Sequence, residues 1–151
     1  MITFFKNHRK SFTLLLDIRF TLLLFFSLLV FNFTLFAKDK TFIVTATNTQ
    51  YFTFEDSEGV NNNDPLIELV SGDKLTLVLN AGTTHPFWIL DPSFPGGAYN
   101  PAYNQPGVTN NGGTETTLVW DLTGVDPGTY YYICENHPDM TGIIKVVPLG
   151  P

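Results

Sequence analysis

The sequence predicts an all-β domain, a two-sheet β-sandwich of about eight strands, behind an N-terminal signal or anchor segment. Three observations carry that expectation. From residue 38 on, no stretch sustains a 3.6-residue apolar period. Short runs rich in β-branched and aromatic residues recur instead. Turn signals such as Ser71-Gly72-Asp73, Asn80-Ala81-Gly82 and Asp126-Pro127-Gly128 separate them.

The expected strands follow in order: 41–47 (TFIVTAT), 51–54, 66–70 (LIELV), 74–79 (KLTLVL), 85–90 (HPFWIL), 116–122 (TTLVWDL), 129–134 (TYYYIC) and 142–147 (GIIKVV). Eight short strands over this length suit a sandwich with one modest core. On the strand ending at Cys134, Tyr130 and Tyr132 share a face with the cysteine, and Tyr131 and Ile133 point the other way. Trp88 and Trp120 fit core positions, and Gly142 reads as the residue that lets the chain leave a turn. Residues 55–65 read as a plain surface loop. Residues 91–115 break the rhythm, with four Pro, five Gly and four Asn in 25 residues. Loops of that length in a compact domain usually serve function.

Residues 1–37 stand apart. Lys6, Arg9, Lys10 and Arg19 oppose Asp17 alone, a net of +3, and the apolar run 20–37 follows. A basic start, an apolar middle and a small residue at Ala37 read as a secretory signal cleaved before Lys38. The rival reading is an uncleaved membrane anchor. The run has 18 residues, the lower edge of a span, and Leu35 rather than a small residue stands three before the cut. Both readings export the domain 38–151, as a periplasmic or secreted protein or one held at the membrane by residues 20–37, because positive flanks stay inside.

Composition excludes several classes. A single Cys permits no disulfide within the chain, no multi-Cys zinc ribbon and no Cys-held iron–sulfur cluster. A net charge of −6 argues against nucleic acid as a partner.

The chemistry sits near the C-terminus, in TYYYICENHPDMTGII. Cys134, His137 and Met140 are spaced Cys-x2-His-x2-Met in one tight loop between two strands. Each alone reads as an ordinary buried or surface residue. Together they offer a soft thiolate, an imidazole and a thioether to one point. Two His and one Cys in a trigonal plane with a weak axial Met make a blue-copper site. A second His is needed, and outside the leader only His85 is left. A free thiol in an oxidising compartment also calls for something to hold it. The expected metal ligands are therefore His85, Cys134, His137 and Met140, around one copper.

These residues resemble the cupredoxins, the small blue-copper electron carriers, over most of residues 40–148. The segments 66–79 (LIELVSGDKLTLVL), 80–85 and 128–134 (GTYYYIC) are similar to that family's early strand pair, first-His segment and strand into the Cys. The ligand loop, with Pro138 after His137, is closest to the amicyanin type; plastocyanin-type loops are longer. Residues 107–112 (GVTNNG) and HPFW resemble a bacterial cupredoxin-domain subgroup. The resemblance implies Greek-key connections, one type 1 copper and electron transfer between Cu(II) and Cu(I), with no substrate turned over. It also implies a monomer, exit of the electron at the His137 edge, and an apolar rim for which Pro86, Pro138 and Phe87 are candidates. One departure stands out. The family commonly carries Asn after the first His, its backbone N–H donating to the Cys sulfur; here Pro86 has no N–H.

The domain's net charge of −9 points to a redox partner with a basic face, such as a cytochrome. Glu135 and Asp139, inside the ligand loop, could act on docking or on potential. The alternative is an exported copper protein for transport, storage or delivery, although Met-rich and His-rich tracts are missing. Copper enzymes with a second copper would need more His than the chain has, and at N/S sites Cu(II) outcompetes Zn(II).

Overall fold

A computed structural model describes residues 38–150; residues 1–37, expected to be a signal or anchor segment, lie outside the described residues. Ten strands form: β1 (Asp39–Thr45), β2 (Thr53–Glu55), β3 (Asn61–Asn63), β4 (Ile67–Val70), β5 (Lys74–Asn80), β6 (Phe87–Leu90), β7 (Val108–Thr109), β8 (Thr117–Asp121), β9 (Gly128–Cys134) and β10 (Thr141–Val147). They make a six-stranded sheet ordered β3-β2-β1-β5-β8-β7 and a four-stranded sheet ordered β4-β10-β9-β6. The chain changes sheet five times, between β3 and β4, β4 and β5, β5 and β6, β6 and β7, and β8 and β9, so neighbours in space come from distant sequence in the Greek-key manner.

The eight expected strands are all present, and two short ones join them. β3 lies within residues 55–65, so that stretch is more than a surface loop; its three exposed asparagines pair with β2. β7 lies inside 91–115 and pairs with β8. The strand expected from His85 begins two residues later, at Phe87.

Period-two alternation builds the core. In β5, Leu75, Leu77 and Leu79 are buried while Lys74, Thr76 and Val78 are less so. They meet Leu118 and Trp120 of β8, and Tyr130, Tyr132 and Cys134 of β9, in one cluster between the sheets. Each fully buried Leu contributes roughly 1.5–3 kcal/mol of hydrophobic stabilisation. Gly142 is required for a different reason from the expected one. Its φ is not positive; a Cβ there would overlap the Tyr132 ring, so the glycine makes room for the aromatic.

The 91–115 segment covers the outer face of the smaller sheet. Leu90, Phe94 and Ile133 form a second buried cluster, with Trp88, Tyr99, Tyr103 and Tyr131 packed on it. Trp88 thus sits half-buried on the outer face rather than in the main core, while Trp120 is fully buried. The segment also closes the free edge of β6. Gly112 donates to the Phe87 carbonyl at 2.8 Å, and Phe87 donates to the Gly113 carbonyl at 2.9 Å. The Asn111 side chain then accepts from the Ile89 amide at 2.7 Å and donates to its carbonyl at 3.0 Å. An edge strand with its backbone groups so occupied cannot pair with another chain.

Candidate metal centre

Strand registers bring the chemistry to one end of the sandwich. β1 and β5 run parallel, ending side by side at Thr45 and Asn80. β9 runs toward the same end and stops at Cys134, opposite Phe87 of β6. The turn 81–86 and the loop 135–140 therefore meet there. Cys134 reaches the site because it continues the inward face of Tyr130 and Tyr132.

The Cys134 Sγ lies 3.8 Å from the His85 Nδ1 and 3.4 Å from the His137 Nδ1. One donor atom from each of the three residues falls within 4.8 Å of the others. The two imidazoles are 4.7 Å apart, centroid to centroid, at 32°. Donors held ~2.0–2.3 Å from a shared ion would stand roughly 3.5–4 Å apart, so the spacing fits one metal ion. Met140 is fully buried at the foot of the same loop. Its carbonyl accepts from the Cys134 amide at 2.9 Å, and its amide donates to the His137 carbonyl at 3.0 Å.

Burial sets the electrostatics. His85 is 8% exposed, and desolvation, then the neighbouring His137, hold its pKa below the ordinary value. Burial pushes the Cys134 thiol up, opposed by backbone N–H groups of Asn136 and His137 directed at the sulfur. A neutral imidazole is what a metal requires, and a metal reverses the logic for the thiol by taking it as thiolate. The donor set of one thiolate, two imidazoles and a thioether suits copper.

Of the residues expected in the rim, Pro138 is exposed, Pro86 is intermediate and His137 is partly exposed. Phe87 is not part of it, being fully buried against Phe52, Phe54 and Tyr132. Three contacts around the site have no sequence signal. The Trp88 Nε1 donates to the Glu135 carboxylate at 2.9 Å, and the Trp88 ring stacks on Tyr99 at 4.8 Å. The Asn136 side chain donates to the Thr84 carbonyl at 2.9 Å. Each joins residues so far apart in sequence that no local pattern reveals the pair.

No family model and no curated protein matches the sequence. Solved structures do. Rusticyanin, described as a copper protein, aligns with a TM-score of 0.50 at 23% identity, over 74% of this chain and 80% of that chain. Another structure of rusticyanin, from Thiobacillus ferrooxidans, gives 0.48 at 23% identity, over 74% and 79%. A purple cupredoxin from Nitrosopumilus maritimus gives 0.44 at 20% identity, over 71% of this chain and 98% of that chain. The likeness is one of fold. Residues 38–150 have the cupredoxin fold, with His85, Cys134 and His137 gathered at one end of it and Met140 buried at the foot of the same loop.

Proposed function

We propose that the chain is an exported electron carrier that holds one copper ion through His85, Cys134, His137 and Met140. The observation that carries this reading is the convergence of one thiol sulfur and one ring nitrogen from each of two imidazoles within 4.8 Å, two of the three residues being buried. Bound copper would supply the one-electron Cu(II)/Cu(I) couple. The protein's part is to keep the donors in one arrangement and to exclude water. His85 is buried while His137 is partly exposed, which favours His137 as the edge that meets a partner.

Charge placement supports a partner with a basic face, such as a cytochrome, and a monomeric carrier that docks transiently. All four lysines of the described residues lie toward the end away from the ligand loop. Lys38, Lys40 and Lys74 stand at the starts of β1 and β5, and Lys145 pairs with Thr129 early in β9. Glu135, Asp139 and Glu115 lie at the ligand end with no lysine among them. A one-signed face steers encounter in a salt-dependent way. Export, with residues 1–37 as signal or anchor, follows from their charge pattern.

The test is the visible spectrum of the purified full chain loaded with Cu(II), beside Cys134→Ser. Intense absorption, bleached by ascorbate and absent from the variant, is expected. A colourless protein with weak, exchangeable copper would overturn the carrier reading in favour of copper delivery.

A further inference from the structure

His85 sits on a turn between the sheets, and the other three candidate ligands sit on one loop. The β6–β9 ladder that joins the two segments ends at the pair Phe87 and Cys134, so His85 and residues 135–140 lie just beyond its last rung. Beyond that rung their relative position rests on individual bonds. Two of these are arranged around His85. The carbonyl of Pro86, just after it, accepts from the Glu135 amide at 3.1 Å. The carbonyl of Thr84, just before it, accepts from the Asn136 side chain at 2.9 Å. Consecutive residues of the ligand loop thus grip both carbonyls that flank the buried histidine.

The second of these bonds is a side-chain choice and not a backbone necessity. Thr84 adjoins His85, and Asn136 adjoins His137. The bond therefore closes a short ring through the two imidazoles, whose centroids are 4.7 Å apart. The Asn136 backbone N–H is also directed at the Cys134 sulfur. Fixing the side chain fixes that N–H as well. This matters more here because Pro86, next to His85, has no N–H to offer.

We infer that Asn136 is a positioning residue, which sets the separation of His85 from His137 and holds a backbone donor on the Cys134 sulfur. The inference rests on the copper reading above for its consequence, but not for its geometry. Asn136 is exposed, so its bond adds little to global stability; solvent replaces much of what is lost. Its effect falls on the local opening of the loop and on the sulfur. A sulfur with fewer donors is richer in electrons and favours Cu(II) over Cu(I).

The experiment uses the full chain, as wild type, Asn136→Ala and Asn136→Gln, in two states. Without copper, amide hydrogen exchange is read at Asn136 and His137. Asn136→Ala should speed it ~5-fold there, the worth of one hydrogen bond, and leave the β5 amides unchanged. Asn136→Gln, which keeps an amide donor, should recover part of the protection. Unchanged exchange in Asn136→Ala overturns the inference, whatever the protein does with copper. With Cu(II) added, the reduction potential of Asn136→Ala should fall and its charge-transfer band should shift. Equal potential and spectrum in a variant that binds copper would also overturn it. If wild type itself shows no thiolate-to-copper band, the copper reading falls and the exchange data alone decide whether Asn136 holds the loop.

Discussion

The two ends of the sandwich are built from opposite kinds of polar contact. At the end away from the ligand loop, buried and charged groups satisfy one another locally. Asp73, 2% exposed, accepts from the amides of Lys38 and Val70, each at 2.7 Å. Lys74 pairs with Asp39 at 2.7 Å, and Lys145 approaches Glu68 at 3.7 Å. At the ligand end, His85 and Cys134 are buried beside the partly exposed His137, and no side chain outside these three bonds to the sulfur or to the His85 ring among the described residues. One end is arranged for stability. The other keeps polar atoms in a dry place without full satisfaction, which costs folding free energy and makes sense where an ion completes the set.

The comparison breaks most visibly if copper does not stabilise the ligand end. An ion bound only by the folded chain adds about 4 kcal/mol when free copper is 1,000 times its dissociation constant. Thermal unfolding of the full chain with and without Cu(II) should show that gain, and Cys134→Ser should lose most of it. Next in size is the far end. Asp73→Ala removes the acceptor of two part-buried backbone N–H groups, those of Lys38 and Val70, at ~1–3 kcal/mol for an unsatisfied donor. Its unfolding midpoint in urea should drop while the copper spectrum stays as in wild type. A spectral change in Asp73→Ala would show that the two ends are coupled, and the division drawn above would fail.

What sequence could read follows the same division. Alternation in KLTLVL and TYYYIC is local, so the core faces and the inward aim of Cys134 were legible. The Cys-x2-His-x2-Met spacing is local too, and His85 followed from counting. β3 was not legible: three asparagines have poor strand propensity, and only pairing with β2 extends them. Trp88 was misplaced because an apolar strand residue looks the same on either face. What puts Trp88 outside is the cover supplied by 91–115, with Gly112 lying so close that a Cβ would overlap the indole. Residue 85 was read as strand because HPFWIL is uniformly apolar after its first residue. The ladder starts at Phe87 since Pro86 has no N–H to contribute.

A smaller effect sharpens the ligand end. Pro86→Asn restores an N–H beside the Cys134 sulfur. One added donor, about 1 kcal/mol in net terms, stabilises the electron-rich Cu(I) state and weakens thiolate donation to Cu(II), so the reduction potential should rise. Voltammetry of the two proteins checks it; an unchanged or lower potential would mean that the new N–H does not reach the sulfur.

The smallest effect concerns Asp64, which lies at the ligand end but belongs to the fold. Its carboxylate accepts from the Phe52 amide at 2.9 Å, yet burial dominates and raises its pKa from 3.8 to about 6. The folded chain therefore holds this proton more tightly than the unfolded chain does. Asp64's contribution to stability is fully present below about pH 4, the unfolded value, and is lost as the pH rises through 6. Because the group is only half-buried, screening reduces the expected loss to ~1 kcal/mol. Asp64→Asn keeps an acceptor for Phe52 and cannot ionise. The stability of Asp64→Asn relative to wild type, both copper-free, should thus increase between pH 4 and pH 7. A difference that does not change with pH would mean that the Asp64 carboxylate is as well solvated in the folded chain as in the unfolded one. Residue 64 would then join the exposed asparagines of β3 as surface, not the packing beneath the site.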